Sequence, residues 1–174
     1  MEITAQAVKS LREETGAGIM DCKRALSDAQ GDASKAKVIL REKGFASAAK
    51  KSERETGQGV VEVYVHGGGR IGVIVELNCE TDFVARTDDF KQLAREVAMQ
   101  IAAMNPRFLS QDDVPGELKE REQLSDQEIE SQALLTQSYI RDPGRTIEQL
   151  VKETIAKTGE NIRIRRFNRY ELGK

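Results

Sequence analysis

An acidic and an aromatic side chain, Asp82 and Phe83, are adjacent at the point where a strand pattern gives way to a helix pattern. Apolar residues alternate over residues 71–77, and from Phe90 onward they follow the spacing of one helix face. A carboxylate and a ring at such a junction can be held rigidly and presented to a partner protein. The alternative interpretation is structural: Thr81 or Asp82 caps a helical turn, and Phe83 fills the core.

The other reactive groups form no pattern that indicates catalysis or a bound ligand. His66 is the only histidine, and it has no array of Ser, Cys or Asp beside it that would indicate an acid–base site. Cys22 and Cys79 lie among apolar neighbours without a CxxC pair, which predicts buried reduced thiols and no structural zinc. The glycines of residues 67–72 satisfy GxGxxG, but a strand pattern follows them instead of the helix that a dinucleotide site requires. We therefore expect no catalytic residue, no metal and no cofactor.

Composition limits the class of protein further. The chain has 174 residues, enough for one domain or for a domain with a small module, and 39% of them are hydrophobic. Charged residues make up 32%, yet the net charge is only −2, which argues against bulk electrostatic binding of nucleic acid. The sequence shows no signal peptide and no apolar run of membrane-spanning length. Together with the reduced thiols, this predicts a cytoplasmic protein without a membrane partner.

The N-terminal part of the chain predicts a small helical module. Residues 1–45 show three short amphipathic patterns, the third ending near Gly44, and a further helical stretch covers residues 45–54. The stretch 55–59 is the clearest linker in the chain. We therefore expect a helical module with its linker helix over residues 1–55 and a separate core domain over residues 56–174.

The core pattern combines a hairpin, a long helix and a final strand. Strands are predicted over 60–66 and 71–79, a helix over 88–104, a polar helical region over 118–138, a turn at 142–144, a helix after Thr146 and a strand over 161–172. The alternation of this last strand breaks at Arg166 and Phe167, which predicts either a bulge or a strand that is buried differently along its length. This order predicts an α+β fold in which a three-helix module precedes a small antiparallel three-stranded sheet packed with helices.

Three segments resemble bacterial translation elongation factor Ts. They are residues 11–26 (LREETGAGIMDCKRAL), 78–86 (NCETDFVAR) and 159–166 (GENIRIRR). Their order and spacing agree with the family, and the resemblance covers most of the chain. It implies a UBA-like N-terminal module and a dimerisation-type core.

The resemblance implies a function in protein biosynthesis and not a covalent reaction. The family is a guanine-nucleotide exchange factor for elongation factor Tu, the GTPase that delivers aminoacyl-tRNA. By position, Asp82 and Phe83 would push into the partner near its magnesium site, while Thr81 and Val84 hold the pair in place.

The resemblance also assigns a docking role to the N-terminal module. Arg12 would supply a polar anchor on the GTPase, and Ile19 and Met20 would supply apolar contact. The chain departs from the family in three ways: Ile19 stands where many members have a second Met, residues 118–136 look shorter, and the core has one lobe where long members have two.

Two further expectations concern partners. A single-lobed core offers one contact surface, so we expect a homodimer that presents two sites. The alternative function is RNA binding by the basic C-terminal strand, which carries Arg163, Arg165, Arg166 and Arg169. The overall charge favours the simpler interpretation of that cluster, a strand with one charged face in solvent.

Overall fold

The computed structural model describes residues 3–174, which contain eight α-helices and five strands. The helices are α1 (Ala5–Thr15), α2 (Ile19–Asp28), α3 (Ala33–Ala49), α4 (Asp82–Ala85), α5 (Asp88–Met104), α6 (Gly116–Glu122), α7 (Asp126–Gln132) and α8 (Ile147–Thr158). The strands are β1 (Gln58–His66), β2 (Ile71–Cys79), β3 (Ser138–Tyr139), β4 (Asp142–Thr146) and β5 (Ile162–Glu171). The predicted α+β fold, with N-terminal helices before an antiparallel three-stranded sheet packed with helices, is confirmed.

The three N-terminal helices surround a small apolar cluster of their own. The Thr4 side chain accepts a hydrogen bond from Ala7 N at 3.2 Å and so caps α1. The cluster consists of Val8, Leu11, Cys22, Ala25, Leu26, Ala29, Ala36 and Leu40. These residues have the helical spacing that the sequence shows, so the packing of this module follows from its pattern.

Gly44 lies inside a helix and does not end one. The prediction of a helix end near Gly44 is wrong, because α3 continues to Ala49. A Cβ atom at Gly44 would lie only 2.9 Å from the Cβ atom of Ala156 on α8. The glycine therefore permits close packing of two helices, a long-range reason that local sequence does not reveal. Beyond Ala49 the chain forms turns, so the predicted helix over residues 45–54 is also too long.

The central strand of the main sheet is β2, which pairs antiparallel with β1 on one side and with β5 on the other. Val73, Val75 and Leu77 of β2 are fully buried on the face that α5 covers. The pairing of β2 with β5 shifts between Glu76 and Leu77, where β5 contains one additional residue, Arg165. The predicted bulge in the last strand is thus confirmed.

The loop between β1 and β2 is built from glycines in a left-handed conformation. Gly67, Gly68 and Gly69 have φ angles of 61°, 66° and 92°, which residues with a side chain rarely adopt. These glycines belong to the GxGxxG match, and they form the tip of a hairpin with a strand on each side. The conformation explains the glycines without a bound nucleotide.

Helix α5 is the spine of the core and has the predicted ends. The Thr87 hydroxyl accepts from Phe90 N at 3.3 Å, and Asn105 ends the helix with a left-handed φ of 47°. Its buried Gln100 donates to Gln137 Oε1 and Ser138 O and accepts from Ile140 N, at 3.2, 3.1 and 3.0 Å. These bonds fasten the irregular segment before α8 to the core.

The polar region after α5 forms two short helices, α6 and α7, followed by a small hairpin of β3 and β4. Capping boxes form at Ser125 with Glu128 and at Thr146 with Gln149, where the three-residue spacing in the sequence predicts them. The turn predicted at residues 142–144 is wrong, because these residues lie in β4 and the chain reverses just before them. Pro143 is tolerated there because this two-stranded sheet leaves strand edges unpaired.

We predict that Gly44→Leu lowers the free energy of unfolding by about 1–3 kcal/mol, since a larger side chain must push α3 away from α8. Urea denaturation monitored by circular dichroism measures the effect. Glu42→Leu adds the same side chain to an exposed position of the same helix and should leave stability nearly unchanged. Equal stability of the two variants would contradict close packing at Gly44.

Candidate functional site

The corner between β2 and α5 holds the predicted acidic and aromatic pair. Helix α4 is a single turn in this corner, and its side chains at Val84 and Ala85 are buried against the core. The Thr81 hydroxyl accepts from Val84 N at 3.4 Å and caps the turn. Since the inward side of the turn is occupied by Val84 and Ala85, the side chain of Phe83 must point outward.

Phe83 is 81% exposed, which rules out the alternative that this ring fills the core. Single exposed apolar residues are common on protein surfaces and need no function. Here the ring projects from a turn whose neighbouring residue is buried and whose cap is hydrogen-bonded. Large aromatic side chains are among those that dominate the binding energy of protein interfaces.

Asp82 is half exposed and is paired with a flexible cation. Its carboxylate accepts from Arg86 Nη2 at 2.9 Å across one helical turn, and the two side chains are 48% and 78% exposed. Ion pairs this open to water contribute only about 0–1 kcal/mol. The Asp82 carboxylate can therefore leave Arg86 for a group on another molecule at small cost.

Two carboxylates, those of Glu80 and Glu160, accept hydrogen bonds at the base of the corner. Glu160 accepts from both the backbone N and the hydroxyl of Thr81, and Glu80 accepts from the backbone N of Asn161 at 2.7 Å. Burial, with the nearby charge of Glu160, raises the pKa of the Cys79 thiol to about 11. Cys79 therefore remains a neutral thiol, which donates to Thr81 O at 3.1 Å and belongs to the framework of the corner.

The N-terminal site residues lie on a different surface. Ile19 and Met20 occupy the first turn of α2 and are 54% and 63% exposed. Arg12 on α1 is exposed and lines the same apolar groove as Ile19, whereas Met20 lies outside that groove. The groove has a basic rim and is lined by Ile3, Ala5, Val8, Lys9, Arg12, Ile19 and Lys23.

The basic C-terminal strand makes internal contacts with each of its four arginines. Arg163 bonds to Ser52 O, and Arg169 donates to Ala102 O and to Glu171. Arg165 and Arg166 lie at 3.7 and 2.7 Å from the carboxylate of Glu76. This favours the interpretation of the cluster as a structural, charged strand face.

Glu76 is the acidic counterpart of that strand face. Partial burial acts to raise the pKa of Glu76, but hydrogen bonds from Arg166 and Asn78 hold it below its usual value. Glu76 is therefore ionised at neutral pH and offsets part of the positive charge of β5.

Residues 3–174 contain no cluster of three or more His, Cys, Asp or Glu side chains that could hold a metal ion. Within the same part of the chain, Cys22 and Cys79 are both buried free thiols. His66 lies at the exposed end of β1, where its Nδ1 is 3.2 Å from the hydroxyl of Tyr64. None of the described helices is both long and apolar enough to cross a membrane.

Comparison with known proteins decides the family. A sequence profile described as "Elongation factor TS" matches residues 33–133, which is more than half of the chain. The chain belongs to the elongation factor Ts family. It is therefore a translation elongation factor, as the resemblance of the three segments implies.

Relatives named "Elongation factor Ts" match the chain over nearly its whole length. The Thermoanaerobacter sp. (strain X514) protein is 53% identical, over 99% of this chain and 96% of its own. The Coprothermobacter proteolyticus protein is 49% identical over 100% of both chains. The first alignment spans 195 positions whereas this chain has 174 residues, so it lacks positions that the relative has. That the missing positions fall in residues 118–136 remains a prediction.

Sequence reasoning assigned no role to three residues that shape the corner: Glu80, Arg86 and Glu160. Arg86 could have been found, because it stands four residues after Asp82 in a helical turn, the spacing of a helical ion pair. Glu160 could not be found in this way, since 79 residues separate it from Thr81. Its only signal is its place in the segment 159–166 that resembles the family.

We predict that Phe83→Ala changes the free energy of unfolding by less than about 0.5 kcal/mol, because an exposed ring makes few contacts in the folded chain. Phe90→Ala provides the matched control: the same change at a fully buried ring should cost about 3–5 kcal/mol. Chemical denaturation measures both. A large loss of stability in Phe83→Ala would show that the ring is part of the core.

Proposed function

We propose that this chain is a guanine-nucleotide exchange factor that binds elongation factor Tu in its GDP form and accelerates release of GDP, allowing GTP to bind. The observation that carries the proposal is the rigid corner at residues 80–85, which exposes Phe83 and leaves Asp82 only weakly paired. Membership of the elongation factor Ts family supports it. A protein with this role works in the cytoplasm and makes no covalent bond.

Exchange needs no reaction chemistry, because it follows from thermodynamic linkage. A protein that binds the nucleotide-free GTPase more tightly than the GDP-bound GTPase weakens GDP binding by the same factor. A shift of about ten-thousand-fold requires about 5.5 kcal/mol of differential binding. Contacts that fit only the empty state of the GTPase must supply this difference.

The corner would act on the magnesium ion that elongation factor Tu binds with its nucleotide. Magnesium tolerates little departure from octahedral geometry, so a small displacement of the groups that orient its ligands weakens the site. Phe83 would wedge between side chains of the partner. Asp82 would break its ion pair with Arg86, bind a group of the partner instead, and so disturb the groups that orient the magnesium ligands. Thr81 and the buried Val84 fix the turn that carries the pair.

The N-terminal module, residues 1–55, would dock this core, residues 56–174, on the GTPase. Its groove beside Arg12 and Ile19 combines an apolar floor with a basic rim. Met20 adds an exposed flexible side chain next to Ile19. Such a surface suits an amphipathic helix of the partner that carries acidic residues.

We predict that catalytic amounts of the protein accelerate release of fluorescent GDP from elongation factor Tu, and that Asp82→Ala with Phe83→Ala abolishes most of this acceleration. Stopped-flow fluorescence measures the release rate. A control variant, Asp112→Ala with Leu172→Ala, removes an exposed acid and an exposed apolar side chain elsewhere and should keep full activity. Full activity in the variant of the corner would disprove the proposed site.

We further propose that two copies associate through the face of the main sheet that α5 leaves open. Apolar side chains on adjacent strands are exposed there: Val61, Val63, Val65, Ile74 and Tyr170 are 45–68% exposed. The pairings of Val63 with Ile74 and of Gly72 with Tyr170 place them side by side. Glu76 and Arg166 lie on the same face, so a two-fold related copy would meet it with apolar contact and matching charges.

We predict that the wild-type protein sediments as a dimer and that Val63→Glu sediments as a monomer, because a buried unpaired carboxylate opposes association. Analytical ultracentrifugation measures the mass. Val38→Glu changes an equally apolar exposed residue on α3, outside the sheet, and should leave the dimer intact. A monomeric wild-type protein at the concentrations of the exchange assay would exclude the dimer.

A further inference from the structure

Glu160 accepts the shortest of the long-range hydrogen bonds that the corner makes. Its carboxylate accepts from Thr81 N at 3.0 Å and from Thr81 Oγ1 at 2.5 Å. Thr81 directly precedes Asp82 and Phe83, and its hydroxyl oxygen also accepts from Val84 N. The Thr81 hydroxyl therefore donates a hydrogen bond to Glu160 and accepts one from Val84 N. In this way it links Glu160 to the first turn of α4.

A second contact mirrors the first, with Glu80 and Asn161 in place of Glu160 and Thr81. Glu80 Oε1 accepts from Asn161 N at 2.7 Å, so each carboxylate binds the residue that follows the other carboxylate in the chain. The last backbone pair of β2 with β5 is Cys79 with Ile162. The side chains of Glu80 and Glu160 thus continue the pairing of the two strands one step beyond their ends, where backbone bonds have stopped.

A third segment joins the same contact. The side-chain nitrogen of Asn161 donates to Ser52 O and Arg54 O, at 3.2 and 2.8 Å. Asn161 is 2% exposed, so these bonds are shielded from water. The chain after α3, the corner and the start of β5 are in this way tied to one another by side chains.

Helix α4 needs this external support. It has only four residues. An isolated helical turn is not stable in water, because the conformational entropy lost in forming it exceeds the contribution of its one hydrogen bond. Hydrogen bonds to a charged acceptor are stronger than bonds between neutral groups. The direction of the Asp82–Phe83 pair therefore depends on contacts beyond the helix itself: the burial of Val84 and Ala85 against the core, and the bonds from Thr81 to Glu160.

We propose that Glu160 is a positioning residue for exchange: it holds the Thr81 cap so that Asp82 and Phe83 meet the GTPase already ordered. This inference rests on the proposed function. Without the contact, the corner must be ordered during binding, and that ordering weakens the preference for the empty GTPase. The simpler alternative is that Glu160 only stabilises the end of the sheet.

The test compares Glu160→Gln with Glu128→Gln. Glu128 has the same chemistry elsewhere, since its carboxylate accepts from Ser125 N and Ser125 Oγ at 2.8 and 2.7 Å. We expect Glu160→Gln to lower the rate of GDP release by roughly tenfold to a hundredfold, because the variant loses the contribution of a hydrogen bond to a charged acceptor. Glu128→Gln should keep the wild-type rate, and thermal unfolding establishes that both variants are folded.

A second readout measures order in the corner without the GTPase. The chain contains no tryptophan, so Phe83→Trp introduces a single tryptophan at the exposed position, which can be excited selectively over the three tyrosines. Time-resolved anisotropy should show greater local mobility of this tryptophan when Glu160→Gln is added, and no change when Glu128→Gln is added. Thr81→Val, which removes only the hydroxyl, should give a smaller increase and serves as the second variant if Glu160→Gln does not fold.

The outcomes separate this inference from the proposed function. If the Asp82→Ala, Phe83→Ala variant is inactive while Glu160→Gln keeps the wild-type rate, the positioning role is wrong and the proposed function stands. If mobility increases but the release rate is unchanged, the contact is only structural and the inference fails. If the Asp82→Ala, Phe83→Ala variant is fully active, the proposed site is wrong and the positioning role fails with it. The proposed function fails only if the wild-type protein does not accelerate GDP release.

Discussion

The packing of α5 on the buried face of β2 is the constraint on which the rest of the core depends. Val73, Val75 and Leu77 of the strand and Phe90 and Val97 of the helix are 0% exposed and belong to one cluster. Strand and helix are consecutive, so the chain between them has only residues 80–87 in which to leave the sheet and return. That short path must form a tight corner at the protein surface. The position of Asp82 and Phe83 is therefore a consequence of core packing.

The corner combines partly buried hydrogen bonds at its base with solvent-exposed side chains at its surface. The partially buried bonds of Thr81 to Glu160 lie beneath the turn, whereas the ion pair of Asp82 with Arg86 is open to solvent. Hydrogen bonds shielded from water are stronger than contacts in full solvent. The backbone is thus fixed while the groups that would meet a partner stay free to change contacts. Under the proposed function, this division suits a protein that binds one state of a GTPase and then releases it.

Features determined by neighbouring residues could be predicted from the sequence. The hairpin with its glycine turn, α5 with its caps at Thr87 and Asn105, and the capping boxes all depend on residues a few positions apart. Features that depend on distant contacts could not be predicted. Local sequence predicts a helix end near Gly44, because the residue that requires a glycine there, Ala156, lies more than a hundred residues away. The identity of the site pair came from the family resemblance, and its exposure came from the structure.

Helix α3 contributes to two apolar clusters along one unbroken backbone. Ala36 and Leu40 belong to the N-terminal cluster, and Ala48 belongs to the cluster of the core. Close packing of Gly44 against Ala156 fixes the middle of this helix on α8. Helix α3 therefore connects the two clusters rigidly and is not a flexible linker. Under the proposed function, a partner that displaces the N-terminal helices would therefore displace the core with them, because α3 contributes to both clusters.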